Sequence, residues 1–160
     1  MTELTILGID PGSRVTGYGL IKVSGSRYSY LASGVVRATA KSELHPLVQI
    51  SKAIAEIAAF YHPDEVAIER VFVHANVMSS LKLGEARGAA IAAAVSLRSQ
   101  LFEYTARQVK LAAVGYGDAE KLQVQHMVKV ILGIRKELIA DEADALAIAI
   151  CHASSRRLQR

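Results

Sequence analysis

One stretch near the start, Leu4-Thr5-Ile6-Leu7-Gly8-Ile9-Asp10-Pro11-Gly12, constrains the chain most. An apolar run this short reads as a buried strand rather than a helix. It stops at a carboxylate. Pro11-Gly12 then turns the chain, because Pro presets φ and Gly accepts the positive φ of a type II turn. Asp10 therefore stands where a central strand gives way to a loop, which is where open α/β sheets place their chemistry. Asp is also a common turn starter, so this residue alone decides nothing.

Length and composition narrow the class. The 160 residues, 51% hydrophobic, suit one domain over residues 1–160 with a real core. They are too few for two lobes around a nucleotide. The net charge of +4 permits a polyanionic partner without requiring one. No apolar run is long enough to span a bilayer, and the start lacks the basic-then-apolar pattern of a signal segment. Cys151 is the single cysteine, so no internal disulfide can form. The expected compartment is the cytoplasm, with no membrane partner. Nothing basic flanks Cys151, so it reads as a small buried hydrophobe.

Val15 to Val23 reads as a second strand, with Gly17 and Gly19 inside it. Glycines there mark either a bulge or the close approach of another backbone or a ligand. Gly25-Ser26 is a hairpin turn, and Arg27 to Arg37 returns as a third strand. Pro46 suits the first position of a helix whose buried face is Leu47, Ile50, Ile54, Ile57 and Tyr61. His62-Pro63-Asp64 ends it, and Val66-Ala67-Ile68-Glu69 is a second apolar run closing on an acid. A helix between two strands implies a right-handed crossover and parallel pairing. If the two strands are neighbours, Asp10 and Glu69 emerge at one edge of the sheet.

Val71, Phe72 and Val73 follow in a loop. Phe72 reads either as a lid on the core or as an exposed contact. A helix beginning at Asn76 or Ser79 and reaching Leu97 carries the small-residue stripe Ser80, Gly84, Gly88 and Ala92. Such a stripe allows another helix or the sheet to come close. Leu101 to Tyr104 is the last strand, and Thr105 can cap a short helix with Arg107 and Lys110. In Gly115-Tyr116-Gly117-Asp118-Ala119-Glu120-Lys121, Asp118 is the expected N-cap of a helix to about Leu132. Lys121 would then be third in that helix, against its dipole; it reads either as an exposed lysine tolerated at small cost or, beside free N–H groups, as part of a phosphate site. The final helix starts near Asp141 and is apolar after its first turn apart from Asp144. The spacing puts Asp141 and Asp144 on one face; the helix dipole alone favours acids at such a start, but an unpaired Asp144 within an apolar segment is costly. The basic tail from about 155 to 160 reads as a solvated end or as a contact to nucleic acid.

Two acids thus end strands and two begin a buried helix. Converging carboxylates at ~4 Å repel by roughly 1 kcal/mol in water and several-fold more in a protein interior. Such a cluster needs cations, and oxygen ligands with few His or Cys select Mg²⁺ or Mn²⁺.

The order and spacing of four segments resemble the bacterial RuvC family of Holliday junction endonucleases. They are Gly8 to Gly19 (GIDPGSRVTGYG), Ala67 to Phe72 (AIERVF), Ala106 to Lys110 (ARQVK) and Asp141 to Ala147 (DEADALA). The resemblance covers essentially the whole chain. It implies an α/β, ribonuclease H-like fold: a five-stranded mixed sheet ordered 3-2-1-4-5 with helices on both faces. It implies a homodimer that nicks two strands of a four-way DNA junction symmetrically, and partnership with the RuvA and RuvB branch-migration proteins. By matching positions, Asp10, Glu69, Asp141 and Asp144 become metal-binding catalytic acids for two Mg²⁺ per site, with Mn²⁺ a substitute. Lys110 and Lys121 become catalytic-site lysines close to the DNA. Phe72 becomes the aromatic that meets an unpaired base, and Arg14, Arg70 and Arg107 become further DNA contacts. The tail matches no motif of the family.

Three other readings use the same residues. A sugar-kinase or actin-like ATPase would need a second lobe. A silent junction-binding module would have no need of four acids. A nuclease for RNA–DNA hybrids would have little use for the aromatic loop after Glu69.

Overall fold

Side chains alternate across a strand, and here the alternation sorts the core into two layers. The computed structural model describes residues 3–73, 75–95 and 99–158. The elements are β1 Leu4–Asp10, β2 Val15–Ser24, β3 Arg27–Arg37, α1 Pro46–Tyr61, β4 Glu65–Glu69, α2 Val77–Ala94, β5 Gln100–Tyr104, α3 Ala106–Val114, α4 Lys121–Leu132 and α5 Ala140–Leu158. The five strands form one sheet in the order β3-β2-β1-β4-β5. The β1–β2 and β2–β3 pairs are antiparallel, whereas β1–β4 and β4–β5 are parallel. The expected strand order and the helices on both faces are both present.

Leu7 and Ile9 of β1 face α1 and α2, together with Val66 and Ile68 of β4. Ile6 and Ala67 face the other way, toward α3, α4 and α5. The period of two then assigns Asp10 and Glu69 to the α5 side. Ile9 pairs with Ile68, so the two acids that follow leave the sheet side by side.

The glycines of β1 and β2 serve α5. A Cβ on Gly17 would lie 2.0 Å from the Asp141 carbonyl oxygen, and one on Gly8 would lie 2.1 Å from that of Ala145. The helix backbone rests directly on the sheet at these points. Of the two readings of Gly17, the close backbone approach is the one present. The register irregularity in the β2–β3 pair falls at Leu20/Ile21 instead. Ala145 to Cys151 are all buried, so α5 is the central helix of its layer. Burial pushes the Cys151 thiol up to about 11, which suits an inert core residue.

Two expectations at helix ends need correction, at the start of α4 and in the basic tail. Helix α4 begins at Lys121 with Glu120 as its N-cap, not Asp118. Ala119 is buried in the core, so the chain must descend past Asp118 before the helix can start. The Gln123 side chain accepts from the Glu120 N–H at 2.8 Å. Lys121 is therefore first, not third, in its helix. Helix α2 is capped by Asn76, whose side chain accepts from the Ser79 N–H at 3.0 Å. It ends at Ala94, and the expected extension toward Leu97 lies outside the described residues. The basic tail is not merely a solvated end either, because Arg156 continues α5 and pairs with Glu65 at 2.7 Å. Gln159 and Arg160 lie outside the described residues.

Helix α2 turns Ala86, Ala90 and Ala94 inward. A Cβ on Gly84 or Gly88 would meet nothing within 4 Å, so this stripe does not pack on its own sheet. Phe72 is 65% exposed and is no lid on the core.

Candidate active site

The strand ends deliver Asp10 and Glu69 to the α5 layer, and the first two turns of α5 deliver Asp141 and Asp144. Glu69, Asp144, Lys110 and Lys121 line one cleft of about 230 Å³, with Ala106, Val109, Val124 and Ala147 as its apolar wall. Asp10 and Asp141 stand beside this cleft rather than in its lining. Their fields nevertheless reach it. Asp10 is pushed from its ordinary 3.8 up to about 7, first by burial and then by the charges of Asp144, Glu69 and Asp141; Lys121 opposes the rise. Burial raises Glu69 as well, Asp144 adds to that, and Lys121 and Lys110 pull the other way. Asp144 is raised by burial despite its bond to Lys121.

Lys121 Nζ lies 2.8 Å from Asp144 Oδ2. This bond holds the ammonium charged above its usual range. It also compensates a cation at a helix start, where the dipole opposes it. Four carboxylates thus share the charge of two lysines. Among the described residues, no three Asp, Glu, His or Cys side chains are close enough to enclose one ion. The acids are gathered but not closed into a cage. An all-oxygen set with raised proton affinity is what divalent hard cations relieve. The donors fit such ions.

The three arginines are dispersed. Arg70 pairs with Glu103 at 3.5 Å on β5. The stem of Arg107 crosses Gly117, where a Cβ would be 2.6 Å from its Cγ. Arg14 lines a separate cleft, with Lys41, His45 and Lys82.

Two supports of the site escaped the sequence. Arg87 on α2 donates Nε–H to the Glu69 carbonyl at 3.2 Å and pairs with Glu103 at 2.9 Å, tying the end of β4 to α2. An arginine in a surface helix gives no advance sign of this. Glu142 accepts from Ser33 Oγ at 2.7 Å, the Ile139 N–H at 2.9 Å and Lys136 Nζ at 3.3 Å. Burial pushes Glu142 up, but these bonds more than offset it and its carboxyl lies below its usual range. This is a carboxylate at the positive end of α5, fixing the start of the helix that carries Asp141 and Asp144.

A 3-2-1-4-5 sheet with helices on both faces, and acids gathered where its central strands end, defines the ribonuclease H-like class. The family model described as crossover junction endodeoxyribonuclease RuvC matches residues 6–152. The RuvC protein of Legionella pneumophila (strain Philadelphia 1) is 55% identical over 152 residues, 94% of this chain and 87% of that one. That of Marinobacter nauticus is 53% identical over 148 residues, 92% and 85% of the two chains. The solved structure of Thermus thermophilus RuvC in complex with Holliday junction substrate superposes with a TM-score of 0.90 at 32% identity, covering 98% of this chain and 96% of that one. The chain belongs to the RuvC family of crossover junction endodeoxyribonucleases.

Proposed function

We propose that this chain resolves four-way DNA junctions by paired nicks, using Asp10, Glu69, Asp141 and Asp144 to hold divalent cations. It is a nuclease that acts on Holliday junctions, as its family membership gives. The observation that carries the site assignment is the shared cleft. Glu69 and Asp144, from a strand and a helix remote in sequence, face Lys110 and Lys121 across one opening beside Asp10.

Two Mg²⁺, with Mn²⁺ as substitute, would supply Lewis-acid activation of water and stabilisation of the departing 3′ oxygen, leaving 5′-phosphate and 3′-hydroxyl ends. The residues of the chain do the rest. Lys121, 2.8 Å from Asp144 in the same cleft, is placed to lend its charge to the scissile phosphate, where negative charge builds in the transition state. Lys110 lines the same opening and holds the strand against it. Arg87 and Glu142 keep the two pairs of acids at fixed separation.

Phe72 is exposed in the loop between Glu69 and α2 and offers its face to an unpaired base, with Val71 and Val73 beside it. Arg14, Arg70 and Arg107, dispersed outside this opening, are proposed as further contacts to the DNA away from the scissile bond. A homodimer suits a junction with its own two-fold symmetry, and the outward face of α2 with Gly84 and Gly88 is its proposed seam. RuvA and RuvB are the proposed partners in the cytoplasm.

The test is cleavage of a mobile four-way junction by the wild-type chain and by Asp10→Asn, with Mg²⁺ present. The expected result is symmetric nicks by the wild type, and binding without cutting by the variant. A variant that cuts at the wild-type rate overturns the metal-site assignment.

A further inference from the structure

A second cleft, of about 530 Å³, is lined in part by the residues that follow the Pro11-Gly12 turn. Its walls come from three places: Ser13 and Arg14 after β1, Lys41 and His45 between β3 and α1, and Lys82 with Glu85 on α2. Among the described residues, Arg14, Lys41 and Lys82 make no ion pair with any carboxylate. Three unpaired cations against one acid leave the cleft positive. We propose that it is a docking groove for the sugar-phosphate backbone of DNA, engaging the strand a few nucleotides from the bond that is cut. This rests on the nuclease reading above.

Position is the first reason. Arg14 is four residues from Asp10, so their Cα atoms are at most ~14 Å apart. At ~3.4 Å of rise per nucleotide along one strand, that is about four steps. The α2 wall is tied to the other acid-bearing strand, because Arg87 of α2 binds the Glu69 carbonyl at 3.2 Å.

Rigidity is the second reason. Buried Thr16 donates to the Gly12 carbonyl at 3.0 Å, and the Ala38 N–H donates to the Arg14 carbonyl at 2.9 Å. Gln49 donates to the Thr39 and Leu44 carbonyls, each at 2.7 Å, and accepts from the Thr39 N–H at 3.2 Å. The turn and the connection are thereby held before any ligand arrives, which lowers the ordering cost of binding.

Chemistry is the third reason. His45 Nδ1 accepts from the Leu47 N–H at 3.3 Å, so a neutral ring carries its proton on Nε2 as a donor. Lys41 and Lys82 are exposed, long and on different walls. Cations spread along a groove track a backbone rather than enclose a small anion.

The experiment compares the wild-type chain with Lys41→Gln/Lys82→Gln, measuring binding to a four-way junction in chelator from 50 to 200 mM salt. Each lost phosphate contact flattens the log–log salt slope by about 0.9. The double variant is expected to bind about tenfold more weakly at the low-salt end, with a slope shallower by about 2. Its single-turnover cleavage rate at saturating protein is expected to stay unchanged. Glu85→Gln, which removes the acid, should bind tighter by about threefold. This second variant decides the matter if circular dichroism shows the first to be unfolded. Unchanged affinity and slope in folded variants, with the wild type cutting normally, overturn the groove and leave the nuclease reading standing. A wild-type chain that neither binds nor cuts junctions overturns that reading and the groove with it.

Discussion

The two ends of β4 treat a glutamate in opposite ways. At its C-terminal end Glu69 faces Asp144, and at its N-terminal end Glu65 faces His152. The spacings match. Glu65 and Glu69 are four residues apart on a strand, ~13 Å. Asp144 and His152 are eight apart on α5, ~12 Å. Strand and helix form a ladder with two rungs. The lower rung is satisfied on every side: His152 Nε2–H donates to Glu65 at 2.6 Å, the Tyr104 hydroxyl donates to Nδ1 at 2.6 Å, and Arg156 closes on Glu65 at 2.7 Å. Phe102 stacks on the imidazole with centroids 4.2 Å apart. The upper rung sets like charges together with too little compensation. Stability comes from the end where the charges cancel. The chemistry we propose lies at the end where they do not, on the same helix that the first end holds.

The sharpest way to break this contrast is to weaken each rung separately. Lys121→Ala removes the cation nearest the upper rung. Deletion of a group that stabilises transition-state charge costs on the order of 10²–10³ in rate. Junction cleavage should fall by that factor, with the melting temperature shifted little, read by single-turnover assay and calorimetry on the same preparation. A comparable rate loss in a folded lower-rung variant would erase the division between the ends.

Glu65→Ala is the reciprocal change. It strips a buried carboxylate from both Arg156 and His152. Removing one partner of a buried pair costs about 3 kcal/mol, or roughly 6–12 °C in Tm for a chain of this size. Cleavage per folded molecule at low temperature should drop far less than in Lys121→Ala. Unfolding in urea checks the first figure. A loss under 1 kcal/mol would mean that the network is decorative.

The two rungs were not equally legible from residue order. Asp10 and Glu69 end apolar runs at Pro-Gly and at a charged loop, so the strands and their acids announce themselves. Asp144 is conspicuous as the carboxylate in an apolar helix. The parallel direction of β4 followed from the helix between it and β1, while its place beside β1 and the full strand order came from the family resemblance. The lower rung was missed although a sign was present: His152 interrupts the apolar run from Ala145 to Ala153 and needs a buried partner. Glu65 gave no comparable sign, since it opens its strand right after a Pro-Asp turn and looks like loop. The misplaced start of α4 has another cause. Asp118 is the better cap by residue type, but burial of Ala119 fixes where the helix can begin. Local preference lost to packing there.

The smallest effect expected is thermal, and it tests the upper rung without DNA. Asp10 has its carboxyl raised from 3.8 in the ordinary state to about 7 in the fold. Between those values the folded chain binds a proton that the unfolded chain has released. Stability must then decline as pH rises from about 4 to about 7, and stay low above it. His152 tilts the curve the other way, because burial lowers its pKa and acid must force a charge onto it. The contribution of Asp10 is isolated by subtraction. In chelator, the Tm of Asp10→Asn minus that of the wild type should grow between pH 5 and pH 8, reaching several degrees. Adding Mg²⁺ should reduce the difference by stabilising the wild type, since ions held by the folded acids favour the fold. A difference that is flat with pH would mean that the four acids do not strain one another, and the upper rung would then be no different in kind from the lower.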